Sequence, residues 1–141
     1  MTFSRYGSPK DVELAFYEAF QGADLDAMRA VWDDGDDIVC VHPMGPKLVG
    51  YEAVMKSWSD ILGSGAQLSF RVDNIQIMAD GGISVHCVHE NITQGRHGEL
   101  RGLVIATNVY RATDNGWRMV LHHGSPGAVE TAQAQRQHVV H

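Results

Sequence analysis

The chain has 141 residues, 44% hydrophobic and 20% charged, which is the scale of one globular domain with one core. Eleven basic against seventeen acidic residues give a net charge of -6, with the basic residues scattered singly. This excludes the electrostatic footprint of a nucleic-acid binder and the basic face of a membrane-surface helix. No apolar run approaches the ~20 residues of a membrane span. The opening MTFSRYGSPK lacks the apolar stretch of a signal peptide, so a cytoplasmic location is expected.

Ser8-Pro9-Lys10-Asp11 reads as a helix start, with a Ser cap, Pro at the first helical position and an early acidic residue. Val12, Ala15, Phe16, Ala19 and Phe20 then recur at three and four, predicting one buried face and an end near Gly22. Asp24 caps a second, short helix with Leu25, Met28, Val31 and Trp32 as its apolar stripe, closed by the acidic turn Asp33 to Asp37. Ile38 to His42 reads as a strand that Pro43-Met44-Gly45-Pro46 ends. A third helix is expected after Gly50, with Ala53, Val54, Trp58, Ile61 and Leu62 on its apolar face and Gly63-Ser64-Gly65 at its end.

From Gln67 the period changes to two. Leu68, Phe70 and Val72 alternate with polar residues, while Ile75 and Ile77 fall out of phase, which predicts a bulge near Asp73-Asn74. Asp80-Gly81-Gly82 is a hairpin turn. Beyond it Ile83, Val85, Cys87 and His89 share one face and Ser84, His86, Val88 and Glu90 the other. A strand from Leu100 to Arg111, a turn at Asp114-Asn115-Gly116 and a last strand from Trp117 to His123 follow, with Gly124-Ser125-Pro126 ending the sheet. Helices first and an antiparallel meander afterwards define an α+β class, with residues 1–127 as the domain and 128–141 as a polar tail.

The order of Ala23-Asp24-Leu25-Asp26-Ala27-Met28, Val31-Trp32, Val41-His42-Pro43, Leu48-Val49-Gly50-Tyr51-Glu52-Ala53 and the closing Gly116-Trp117 to His123 resembles the nuclear transport factor 2-like superfamily, and within it the SnoaL-like group, over residues 8–127. The resemblance implies a cone, with helices packed in a strongly curved antiparallel sheet, an apolar pocket at the wide end and a homodimer built on the outer sheet face. It does not fix a function, because the scaffold is shared by isomerases, cyclases, dehydratases and non-catalytic binders.

Measured against the ketosteroid isomerase pattern, which uses a carboxylate base with a Tyr and a protonated Asp as donors, three positions differ. His42 stands at the base position, Phe16 at the Tyr position with Tyr17 one residue off, and Asn108 at the donor Asp. A His42 base with an Asn108 donor is the pair this implies. His122 and His123 are adjacent on a strand and face opposite ways, so one of them is expected in the pocket. Trp32 and Trp58 complete its aromatic wall, or simply pack the core.

His86 and His89 fall on opposite strand faces, and no metal-ligand spacing is present, so neither metal nor cofactor is expected. The acidic turn reads as solvated. Cys40 and Cys87 read as inert buried thiols. The expected ligand is a small apolar or carbonyl-containing molecule, handled by isomerase, cyclase or dehydratase chemistry without a cofactor. A non-catalytic binding or protein-interaction module is the alternative.

Overall fold

A computed structural model describes residues 6–128. It contains three helices followed, apart from two short strands, by the sheet: α1 (Pro9–Gln21), α2 (Leu25–Val31), β1 (Val39–Val41), β2 (Lys47–Val49), α3 (Tyr51–Leu62), β3 (Leu68–Asp80), β4 (Ile83–Gln94), β5 (Glu99–Thr113) and β6 (Gly116–Gly127). The six strands form one sheet in the order β2-β1-β6-β5-β4-β3. This is the α+β, cystatin-like arrangement. None of the described helices is long and apolar enough to cross a membrane. The tail expected from residue 128 lies, from residue 129 on, outside the described residues.

The helix starts follow their caps. The Ser8 hydroxyl accepts from the Asp11 amide at 3.2 Å, and the Asp24 carboxylate accepts from the Ala27 amide at 3.0 Å, each satisfying a donor that the first helical turn cannot pair internally. Trp32 lies just past α2 as its C-cap, where it bridges to Met119 of β6. The register between β3 and β4 shifts between Asp73 and Gln76, with Asn74 at φ +50°, so the break in alternation marks a bulge.

Three strand features differ from the expectation. The Pro-rich stretch ends β1 as expected, but the segment after Pro46 forms a further strand, β2, which pairs antiparallel with β1. β1 pairs with β6 in parallel, Val39 to Leu121 and Val41 to His123, so the sheet is not wholly antiparallel. The crossover that parallel pairing requires is everything between them, from β2 through β5. Finally, β6 continues through Pro126 to Gly127, paired with β5. Among the described residues no strand pairs with the other side of β6 beyond His123, so Pro126 lies on a stretch that is an edge of the sheet, where strands tolerate proline.

The core lies between the helices and the inner sheet face. Val12, Phe16 and Ala19 of α1, Met28 and Val31 of α2, and Val54, Met55 and Trp58 of α3 meet Cys40, Val88, Ala106, Tyr110 and Met119. The acidic turn is not simply solvated. Arg111 on β5 reaches Asp33 at 2.5 Å and Asp37 at 2.9 Å, tying the exit of α2 to the sheet.

Candidate functional site

The inward side of the sheet carries more than apolar side chains. On β4 the inner face is Ser84, His86, Val88 and Glu90, all buried, while Val85, Cys87 and His89 on the outer face are only half-buried. On β5 the inner residues are Ala106, Asn108 and Tyr110. Opposite them α1 presents Glu13 and Tyr17, one helical turn apart and therefore on the same side of the helix. Buried polar groups must be hydrogen-bonded, and nearly all of these are.

One chain of bonds runs across the inner face. The Tyr17 hydroxyl donates to Glu90 Oε2 at 2.5 Å and accepts from Asn108 Nδ2 at 3.0 Å. Asn108 Oδ1, an acceptor only, takes its bond from His122 Nδ1 at 2.6 Å, which fixes the tautomer of that ring. Both ends of the Asn108 amide are thus engaged. A second chain lies one helical turn away on α1. Glu13 Oε2 accepts from His86 Nδ1 at 2.7 Å, and the other ring nitrogen of His86 is 2.9 Å from the Ser84 hydroxyl. The Tyr110 ring packs edge-on against His86, and its buried hydroxyl has no partner of good geometry, although Glu13, Glu90 and Asn108 lie close enough to affect its ionisation.

Burial governs the ionisation of these groups. It pushes the Glu90 carboxyl up to about 7, against the opposing pull of the Tyr17 hydrogen bond. Burial and the neighbouring Glu90 charge hold Tyr17 well above its ordinary value. Burial, helped by His42 and His123, drops His122 to about 3, so its ring is neutral at neutral pH. His42 is also lowered by burial.

A cleft of about 600 Å3 opens between α1 and β3. Glu13, Leu14, Tyr17 and Glu18 line it from the helix, and Phe70, Val72 and Ile75 from the strand. It reaches the first polar chain at Tyr17 and the second at Glu13. Of the residues expected at the site, Tyr17, Asn108 and His122 come together in one hydrogen-bonded row. Phe16 and Trp58 pack beside that row, each in contact with the His122 ring. His42 sits on the far side of His122 with ring centroids 6.3 Å apart, its Nε2 2.9 Å from the Ser57 hydroxyl.

His123 is exposed on the opposite sheet face, so only His122 of the adjacent pair turns inward. Trp32 lines a separate pocket of about 240 Å3 beside Arg29 and Tyr51. Cys40 is buried, its thiol pushed up to about 12 by desolvation, whereas Cys87 is only half-buried. Among the described residues no group of three or more His, Cys, Asp or Glu is placed to hold a metal ion.

Sequence reasoning missed Glu13, His86 and Glu90. The signal was the alternation in β4, which puts Ser84, His86 and Glu90 on one face. It was usable only by allowing that this more polar face points inward.

A helical layer against a six-stranded sheet with a polar row inside it defines the nuclear transport factor 2-like class of fold. Residues 10–129 match the SnoaL-like domain family, and the chain belongs to that family. It is similar to a structure from Thiobacillus denitrificans, provisionally named a calcium/calmodulin-dependent protein kinase type II association domain. That match has 36% identity, 89% of this chain and 99% of the other covered, and a TM-score of 0.84. A second structure, from Streptomyces avermitilis and provisionally named a dehydratase of the NTF2-like family, matches at 31% identity over 84% of this chain and 92% of the other, with a TM-score of 0.75. A curated relative, the F-box protein SKIP8 of Arabidopsis thaliana, is 26% identical over 124 residues, 86% of this chain and 51% of the relative. The chain spans about half the length of that relative.

Proposed function

We propose that this SnoaL-like domain binds a small, mostly apolar molecule in the cleft between α1 and β3 and acts on it by proton transfer of the isomerase, cyclase or dehydratase type, without a cofactor. The observation that carries the reading is the floor of the cleft. There Tyr17 lines the cleft, and its hydroxyl is hydrogen-bonded to a buried carboxyl with a pKa of about 7. With Glu90 ionised, the Tyr17 proton is held in the pair. With Glu90 protonated, the carboxyl itself supplies the proton to the Tyr17 oxygen, and the phenol proton is released toward the ligand. Such a pair exchanges a proton near neutral pH, where acid–base catalysis is most effective.

Asn108 serves as donor at one remove in this reading, holding the Tyr17 oxygen. His42 is the second candidate base, on the far side of His122. The similarity to the dehydratase-named structure agrees with this class of chemistry.

The same proposal includes a homodimer through the outer sheet face, where Val85, Cys87, Ile105, Val109, Leu121 and His123 are exposed or half-buried. A non-catalytic binding or protein-interaction module is the competing reading. Native mass spectrometry under mild and then denaturing conditions tests it. A released organic ligand and a dimer mass are expected, with ligand retention reduced in Tyr17→Phe. In a turnover assay built on the identified ligand, loss in Tyr17→Phe but not in His42→Ala assigns the proton transfer to Tyr17. The opposite result assigns it to His42. A monomer that carries no ligand and gives no shift with small apolar ketones would sink the reading.

A further inference from the structure

Ser84, His86 and Glu13 are connected as the members of a hydrolytic triad are: hydroxyl to one ring nitrogen at 2.9 Å, the other ring nitrogen to carboxylate at 2.7 Å. Their exposure is the reverse of what a hydrolase needs. Ser84 and His86 are each 1% exposed and neither lines the cleft, whereas Glu13 does. The serine is the sealed end, and Glu13, buried at 6% exposure, is the member of the row that borders the cleft. Nucleophilic attack by Ser84 is therefore ruled out by access, and the group that can act on a ligand is Glu13.

We infer that Glu13, held by His86 and Ser84, is the anchor of the cleft for a positively charged end, and that the ligand is a small apolar molecule carrying a basic nitrogen. This rests on the cleft being the binding site proposed above. The cleft is walled by Leu14, Phe70, Val72 and Ile75, which suit an apolar body. Its ionisable groups are Glu13 and Glu18 against Lys10, with Glu90 directly behind Tyr17. An anion placed there would face carboxylates across a poorly solvated floor, whereas an ammonium would meet a preorganised acceptor. Glu13 is fixed, so little side-chain freedom is lost on binding. His86 and Ser84 act as positioning residues behind it. Tyr17 lies one helical turn further along, within reach of the atoms next to the nitrogen-bearing end of a ligand anchored on Glu13.

Three probes with one ring system and different ends test this: naphthylmethylamine, naphthylmethanol and naphthoic acid. Each is titrated into the full chain while the methyl NMR signals of Leu14, Val72 and Ile75 are followed, which locates binding as well as measuring it. The amine is expected to bind about tenfold or more tighter than the alcohol, the gain typical of a hydrogen bond to a charged group, and the acid most weakly. Glu13→Gln should bring amine and alcohol to about the same affinity while leaving the alcohol nearly unchanged, a change of ranking that general loss of packing would not produce.

Glu13→Asp keeps the charge and should keep the ranking, and it carries the test if the Gln variant does not fold. Binding at the cleft methyls with no preference for the amine, or a preference that survives Glu13→Gln, overturns the inference and leaves the cleft reading standing. If none of the probes moves those methyls, the cleft reading falls and the inference with it.

Discussion

Helices α1 and α3 are 13 and 12 residues long and each buries one face, yet they bury different chemistry. The buried side of α3 is Val54, Met55 and Trp58, and its one sealed polar atom, the Trp58 indole nitrogen, has no partner. The buried side of α1 mixes Val12, Phe16 and Ala19 with Glu13 and Tyr17, both hydrogen-bonded to the sheet. Burying a carboxyl is costly even when it is paired, and an apolar residue of the same volume often serves stability as well. The α3 side is built as packing. The α1 side spends stability on groups that ionise, and the cleft opens on that side.

Three measurements break or sharpen this contrast. The largest effect is expected on the packing side, where Trp58→Ala should cost about 3–5 kcal/mol in chemical denaturation, because Trp58 is fully buried against Phe16, Phe20 and His42. A loss under about 1 kcal/mol would mean that α3 is not a core element.

On the polar side, Asn108→Ala should cost about 1–3 kcal/mol, since it leaves the His122 Nδ1 proton without an acceptor and removes a donor from Tyr17. The same variant should change the His122 tautomer ratio seen by nitrogen NMR, which Trp58→Ala should alter less.

In the parent chain the smallest net effect lies in the pH dependence of stability, because two buried groups with opposite shifts offset each other. Glu90 has its folded pKa raised from 4.5 to about 7, so its contribution is fully present below 4.5 and is lost as pH rises through 7. His122 has its folded pKa depressed from 6.5 to about 3, so its contribution is present above 6.5 and is lost as pH falls toward 3. Between 4.5 and 6.5 the two slopes oppose each other. Denaturation midpoints for Glu90→Gln should fall more steeply with acid than those of the parent chain. His122→Gln should show the reverse, with stability falling as pH rises toward 7. Parallel curves for all three proteins would show that neither group titrates as its burial demands.

Much of the frame was legible in the sequence. Ser8 and Asp24 announced two helices, and the apolar spacing gave all three. The slip between Val72 and Ile75 located the bulge, because a phase change of period two has few other physical causes. What could not be read was non-local. The parallel pairing of β1 with β6 joins segments with no local pattern linking them, and β2 is three residues long.

The site was legible by halves for a related reason. Tyr17, Asn108 and His122 were named one at a time, but alternation says only which residues share a face. Hydrophobicity would send Ile83, Val85 and Cys87 inward on β4, and the structure sends Ser84, His86 and Glu90 there. Side chains from α1, which only the tertiary fold supplies, make that choice tolerable.

The parallel contact between β1 and β6 also bears on how the chain is made. Val41 waits for His123, on the order of 80 residues later, so loop closure for that contact is among the slowest steps available to a chain of this length. During synthesis the three helices and the hairpin of β1 and β2 leave the ribosome before the strand that receives them. Until then Cys40 and the sheet-facing sides of Phe16 and Trp58 have no β6 to cover them. Assembly of this domain is gated by β6, and a nascent chain stopped short of Gly116 should be the species that chaperones and proteases recognise.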